Sequence, residues 1–393
     1  MNILISGAGI AGPTLAYWLK KYGFKPTLVE KSPVLRTGGY VVDFWGLGFD
    51  VAEKMGILPQ LKKTGYQVKE IRILDKNGKK SGGFSAEVFG KLTNGRYLSI
   101  PRGELASTIY SALDGSVETI FGEEISEISQ TKDCVQVKFS KGTSREFDLV
   151  IGADGLHSKV RQIVFGPQEN YEKYLGYKVA AFEIPEYRPR QEDVYVMYTE
   201  IGQQIGRFSM KNDMTMFLFV FVDKNKGDPS HSIEIHRKIL HERFSNSGWE
   251  TKTILEKMDT LPDLYFDRVS QIRMNQWSDG RVCLLGDAAF CVSLLAGQGS
   301  ALAMTAAYIL AGELHLAKGD YKKAFSQYQN IFSPFVLKKQ KAAEKFAGSF
   351  APSSAFGLFI RNQVTKLLSI SLIAELALGS DLRDKIELPN YGG

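Results

Sequence analysis

The chain has 393 residues, 44% hydrophobic, 23% charged and 11% aromatic, the composition of a globular protein with more than one core, which excludes a disordered, fibrous or small disulfide-stapled chain. Its 49 Lys and Arg exceed its 43 Asp and Glu by six, but the charges are scattered, and without a basic stripe no nucleic acid partner is expected. The three cysteines, Cys134, Cys283 and Cys291, form no C-x-x-C pair, so neither a disulfide framework nor a metal site is expected, and a reducing cytoplasm is the expected location.

Met1 leads straight into a short apolar strand with no basic stretch before it, so no export signal is expected. That strand, Ile3 to Ser6, is followed by Gly7-Ala8-Gly9-Ile10-Ala11-Gly12 and then by a helix, Thr14 to Tyr22, marked by Leu15, Ala16 and Leu19. Gly7 permits the tight turn, Gly9 lets the backbone approach a pyrophosphate, and Gly12 lets the helix pack close to the strand with its N-terminus aimed at the phosphates. The next strand, Pro26 to Val29, ends on Glu30, where a carboxylate accepts hydrogen bonds from ribose hydroxyls and repels a 2′-phosphate. A glycine pattern alone also serves an ordinary strand-to-helix turn. With strand, helix and terminal acid in register it predicts a dinucleotide site, and at this point NAD and FAD both remain open.

A second apolar strand, Asp148 to Ile151, runs into Gly152-Ala153-Asp154-Gly155 and a helix start capped by Ser158. Tyr195 to Tyr198, Gly206 to Met210 and Met214 to Val222 are rich in β-branched and aromatic residues and predict a sheet. Phe217, Phe219 and Phe221 alternate there with Met216, Leu218 and Val220. Both faces are apolar, so a cavity-lining face competes with plain core on both sides. A third strand, Arg281 to Leu285, ends in Gly286-Asp287, with Gly297-Gln298-Gly299 and a small-residue helix through Leu302, Ala306 and Leu310 beyond it. Phe356 to Leu378 is interrupted by Arg361, Asn362, Lys366 and Glu375, too polar for a membrane span. Its Ile360, Val364, Leu367, Leu368, Leu372 and Leu376 share one face at helical spacing, which predicts a helix packed on the protein's own body, with dimer or membrane-surface contact as the alternative. None of the five histidines, His157, His231, His236, His241 and His315, has an evident base role.

Gly7 to Gly12 with Glu30, Asp154-Gly155 and Gly286-Asp287 together resemble the class A flavoprotein monooxygenases, the aromatic hydroxylase group, and the resemblance runs from end to end. It implies an α/β fold in which a Rossmann-like FAD-binding domain is interleaved with a β-sheet substrate domain. Residues 1–70, 100–168 and 271–330 are expected in the first, 71–99 and 169–270 in the second, and 331–393 in C-terminal helices bridging them. By this resemblance Gly7, Gly9, Gly12 and Glu30 hold the ADP half of FAD, Asp154 and Gly155 lie by the pyrophosphate and the path of NAD(P)H, and Asp287 binds the ribityl chain. Gly297 and Gly299 face the isoalloxazine, Arg36, Gly39 and Asp43 look like the loop beside the ring, and Arg102 looks like the arginine that contacts the cofactor. Within the group the chain is most similar to the tetracycline-inactivating monooxygenases, notably over Gly286 to Leu295, Ala307 to Leu314 and the apolar C-terminal segment.

Phe290 stands where many relatives have His, and Leu294 where most have Pro against the flavin, which is expected to make the pocket more apolar. Phe290, Leu294, Arg207 and Phe217 are the candidate pocket residues; Arg207 either faces an anionic substrate or is simply solvated at a strand edge. The resemblance implies that NADPH or NADH reduces FAD, that O₂ forms a flavin C4a-hydroperoxide protected by apolar walls, and that one oxygen passes to a fused-ring or aromatic polyketide, tetracyclines foremost. A general aromatic hydroxylase, a flavin reductase or dehydrogenase of related fold without oxygen insertion, and a non-catalytic flavoprotein are the alternatives.

Overall fold

Ile3, Leu4 and Ile5 are all fully buried, as a strand covered on both faces must be, and this sets the strand Asn2–Ser6 at the centre of a mostly parallel sheet. The computed structural model describes residues 1–36, 38, 40–227, 232–352, 354, 356–360, 362 and 387–392, with the backbone alone at 346–350. The sheet has six strands in the order Ser278–Asp279, Val282–Leu284, Leu149–Gly152, Asn2–Ser6, Lys25–Glu30 and Glu118–Phe121, antiparallel only at its first pair. The helix Ala11–Lys21 packs between this sheet and the helix Gly299–Leu316. The latter is buried on every side from Leu302 to Leu314, which explains why small residues dominate it.

A second sheet has seven strands in the order Tyr265–Ile272, Glu172–Pro185, Met214–Val222, Gln203–Ser209, Val194–Glu200, Glu70–Leu74 and Lys80–Ser85. Side chains alternate across it, so each face builds its own core. Phe217, Phe219 and Phe221 turn to the helices Ile233–Phe244 and Thr251–Met258, where they meet Leu240, Phe244, Ile254 and Met258. Met216 and Val220 turn the other way, toward Val68 and Phe208 and toward Val179, Val269 and Leu295. A separate hairpin pairs Val41–Trp45 with Tyr97–Pro101.

Of the expected C-terminal helix, 356–360 is helical, with Phe356 and Phe359 exposed; Val364, Leu367, Leu368, Leu372 and Leu376 lie outside the described residues. No helix among the described residues is long and apolar enough to cross a membrane. The end of the chain returns to the helix Gly299–Leu316. Tyr391 is buried, its hydroxyl donates to Glu313 Oε1 at 2.8 Å, and the Tyr308 hydroxyl donates to the Pro389 carbonyl at 2.9 Å. Gly312 makes the docking possible, because a Cβ there would overlap the Tyr391 ring.

Tyr391→Phe removes only the hydroxyl donor to Glu313 and is expected to cost about 1–3 kcal/mol, the penalty for an unsatisfied buried acceptor. Gly312→Leu displaces the whole ring and is expected to cost more and to expose the last residues to carboxypeptidase. Thermal melts and a digestion time course check both, and trimming of Gly312→Leu at the wild-type rate would contradict the docking.

Candidate active site

The first glycine turn is dictated by close backbone approach. Gly7 has φ +105°, and a Cβ there would lie 2.5 Å from the Ala153 carbonyl oxygen, while one on Gly12 would overlap the Gly7 carbonyl. Gly9 is different. A Cβ there meets nothing nearer than the Arg102 guanidinium, 3.7 Å away, so the protein's own packing leaves that position bare. The helix behind it begins with no side-chain cap and no acid in its first turn, and its N–H groups are available to an anion. Arg102 makes no ion pair or side-chain hydrogen bond among the described residues. A bare turn, an uncapped helix N-terminus and a guanidinium above them fit a pyrophosphate.

The Glu30 carboxylate braces the same turn, accepting the Ala8 N–H on Oε2 and the Ser32 N–H on Oε1, both at 2.9 Å. Beside it a cleft is lined by Lys31, Ser32, Arg36, Gly122, Glu123 and Ser140; Gly39 lies outside the described residues. Asp154 directs its carboxylate to the helix Lys159–Phe165, accepting the N–H groups of Lys159 and Val160 and the Ser158 hydroxyl, and Gly155 supplies the positive φ of the turn, +82°.

Asp287 begins the short helix Asp287–Phe290, and its Oδ1 is 3.8 Å from where a Gly299 Cβ would be, which joins it to the Gly297–Gly299 turn. Burial raises its pKa, opposed by the nearby Arg102 charge. Gly297 is left-handed at φ +64° with open space above it, again a surface bare of side chains. A further cleft runs from this turn to the hairpin, lined by Asp43, Trp45, Leu47, Gln298, Thr305 and Phe335.

Three of the four expected pocket residues lie elsewhere. Phe290 is 3% exposed and packs in the main core against Trp277 and Phe332, with ring centroids 4.8 and 5.5 Å away. Phe217 and Arg207 are cross-strand partners on the helix-covered face of the second sheet. Arg207 is 2% exposed, pairs with Glu250 at 2.6 Å and lies over the Trp249 ring, so its charge is already matched and faces no anion. Leu294 does border the inner face, beside Val179 and Val220. Of the residues alternating with the phenylalanines, Leu218 is part-exposed on the opposite face, beside Leu294, while Met216 and Val220 are buried; the alternation was visible in the sequence, its direction was not.

His157 bridges the two halves, its Nε2 3.0 Å from Asp267 Oδ2 on the strand Tyr265–Ile272. His241 pairs with Asp259, His236 stacks on Phe266 and His315 on Tyr22; His231 lies outside the described residues. None of these lines the Asp43 cleft.

The FAD binding domain family matches residues 1–328. A flavin-dependent monooxygenase from an unknown prokaryotic organism is 36% identical over 392 residues, covering 100% of this chain and 99% of that protein. The crystal structure of tetracycline destructase Tet(51) superposes with a TM-score of 0.84 at 35% identity, covering 99% of each chain. That of tetracycline destructase Tet(55) gives 0.85 at 32% identity, covering 99% of this chain and 98% of the other.

Gly9→Val is expected to fold and to lose stoichiometric FAD, because the position has room for a side chain only while no pyrophosphate lies there; circular dichroism and flavin absorbance read the two separately, and full retention of FAD would contradict the fit. His157 has a pKa raised from 6.5, first by its hydrogen bond with Asp267. Its contact therefore stabilises the fold fully below 6.5 and fades as the pH rises through the higher folded value. The melting-temperature gap between wild type and His157→Gln is expected to be largest on the acid side and to close in alkali.

Proposed function

The chain belongs to the FAD binding domain family and is an FAD-dependent monooxygenase, and from that premise we propose that it oxygenates a fused-ring or aromatic polyketide, tetracyclines foremost, at the expense of NADPH or NADH. The observation that carries this reading is the match to two tetracycline destructases over 99% of this chain at 35% and 32% identity, which extends past residue 328, where the family match ends. When bound, FAD would supply the redox chemistry of oxygen insertion, with the nicotinamide nucleotide as electron donor and O₂ as the oxygen source.

The chain's own residues bind, orient and exclude water. Arg102, the bare Gly9 and the N-terminus of Ala11–Lys21 are the anion site for the pyrophosphate, and Glu30 accepts from the ribose. Asp287 is the acceptor for the ribityl hydroxyls, and Gly297 and Gly299 leave room for a flat ring. Asp154 acts at one remove, by fixing the turn that carries Gly155. The six-stranded sheet and its helices are the cofactor half and the seven-stranded sheet the substrate half, bridged by the C-terminal helices. The part-exposed Leu218 and Leu294 on the inner face, backed by the buried Met216 and Val220, supply an apolar wall that keeps water from the reacting atoms.

Incubation of the FAD-loaded enzyme with NADPH, O₂ and tetracycline is expected to add one oxygen to the antibiotic, with ¹⁸O from ¹⁸O₂ in the product. Turnover confined to hydroxybenzoates would return the enzyme to the general aromatic hydroxylases. NADPH oxidation without labelled product from any substrate would make it a reductase.

A further inference from the structure

On the inner face of the seven-stranded sheet, the face turned away from its two helices, Leu218 is part-exposed between small neighbours. Directly across from it are Ala181 on one strand and Gly206 on the other. Past Ala181 the same row reaches Tyr265, which shares this face because Phe266, next to it, packs on the helix-covered core. Tyr265 is 38% exposed. In the other direction the row runs under a second phenol: a Cβ on Gly206 would overlap the Tyr195 hydroxyl, so the Tyr195 ring, beside Phe208, reaches back over that glycine. Leu218 is therefore bracketed by two tyrosines.

The two ends differ chemically. The Tyr265 hydroxyl donates to Asp267 Oδ2 at 3.5 Å, two residues along its own strand, and its ring lies 5.8 Å from that of Tyr40. The Tyr195 hydroxyl has no hydrogen-bond partner among the described residues, yet it is not sealed from solvent, so its proton is available to a bound molecule. Burial raises both phenol pKa values, with Asp43 adding to that of Tyr195 and Tyr40 to that of Tyr265. Both stay neutral at physiological pH, and Tyr195 remains a donor. The groups acting on them also show which way the strip looks: Arg102 and Cys291 of the cofactor half reach Tyr265, and Asp43 of the hairpin reaches Tyr195.

Three strand spacings separate Tyr265 from Gly206, which at about 4.8 Å each puts their backbones about 14 Å apart. A row of fused rings spans that strip, and a single ring on Leu218 does not touch both ends. We propose that the strip is the recognition surface for the substrate, that a flat fused-ring molecule lies across the strands on Leu218, and that Tyr195 determines specificity by donating its hydrogen bond to a ketone or enolate oxygen at one edge of that molecule, while the Tyr265 ring bounds the other. The assignment rests on the reading of this sheet as the substrate half, and it names the residues that select for ring number and edge oxygen. Gly206 is the positioning residue, because only the missing side chain lets Tyr195 lie there.

The test is equilibrium binding to FAD-loaded wild type, Tyr195→Phe and Tyr265→Leu, without NADPH, read by the absorbance of two fused-ring probes, tetracycline and the anthraquinone dye alizarin. Wild type is expected to bind both. Tyr195→Phe is expected to bind them about five to ten times more weakly, the loss of one hydrogen bond, with FAD content and melting temperature unchanged; a merely structural hydroxyl would lower the melting temperature and leave the affinity alone. Tyr265→Leu is expected to weaken both probes as well, and if it fails to retain FAD, Tyr195→Phe decides. Wild-type affinity for both probes in Tyr195→Phe would overturn the proposal, as would failure of both to bind wild type. So would 4-hydroxybenzoate, a single ring, binding as tightly as the fused-ring probes and losing as much in both variants. Alizarin bound through Tyr195 with no binding of tetracycline would sink the tetracycline reading and leave the strip standing.

Discussion

A Cβ on Gly7 would lie 2.5 Å from the carbonyl oxygen of Ala153, and one on Gly12 would overlap the carbonyl of Gly7. The strands Asn2–Ser6 and Leu149–Gly152 are paired in register with Ser6 opposite Gly152, so the two chains leave the sheet side by side, and their turns can form one surface only if neither carries a side chain at the crossing. Gly152 repeats the constraint one step back, where a Cβ would press on Val160 at 2.8 Å. Arg102 comes to lie over Gly9 because nothing stands between them.

What holds the second turn in place is a buried cation. Arg161 is fully buried, yet among the described residues it has no carboxylate partner at hydrogen-bond distance. Its guanidinium donates instead to the carbonyls of Ala288 at 2.9 Å and Leu156 at 2.7 Å, and to the Gln168 side chain. Burial lowers its pKa, but a guanidinium keeps its charge at any physiological pH. It therefore ties the Asp154 turn to the short helix that begins at Asp287, with the carboxylates of Asp154 and Glu172 near enough to favour its charge.

The features legible in the sequence were those that a residue type decides locally. Positive φ at Gly7 and Gly155, the unbroken apolar strands, and the terminal acid at Glu30 need no knowledge of the rest of the chain. The misplaced residues share a physical cause. Phe217 and Arg207 lie on strands that are apolar on both faces, and which face looks inward is decided by helices later in the sequence, where Glu250 waits for Arg207. Phe290 was read beside the flavin because of its motif, but Trp277 and Phe332 draw it into the core. The environment of Asp43 depends on the pairing of two strands more than fifty residues apart, and no period in the sequence carries that register.

The segment from Asp287 to Gly299 joins the two halves of the site, and its hold is polar and buried. Gln271 donates to the carbonyls of Val292 and Gln340, and Gln340 donates to that of Ile272, with both side chains nearly fully buried. Each bond contributes about 0.5–1.5 kcal/mol net, but leaving such a carbonyl unmatched costs about 1–3 kcal/mol, so the segment has one low-energy path. Along that path Ser293 is forced to φ +134°, a conformation that a non-glycine residue adopts only when its surroundings impose it. The strain turns the chain so that Leu294 and Leu295 reach the inner face of the second sheet, five residues before Gly299 closes on Asp287. A single clamped segment thus carries Asp287, the Leu294–Leu295 contact with the second sheet and the bare glycine turn, and a shift in any one of these must move the other two.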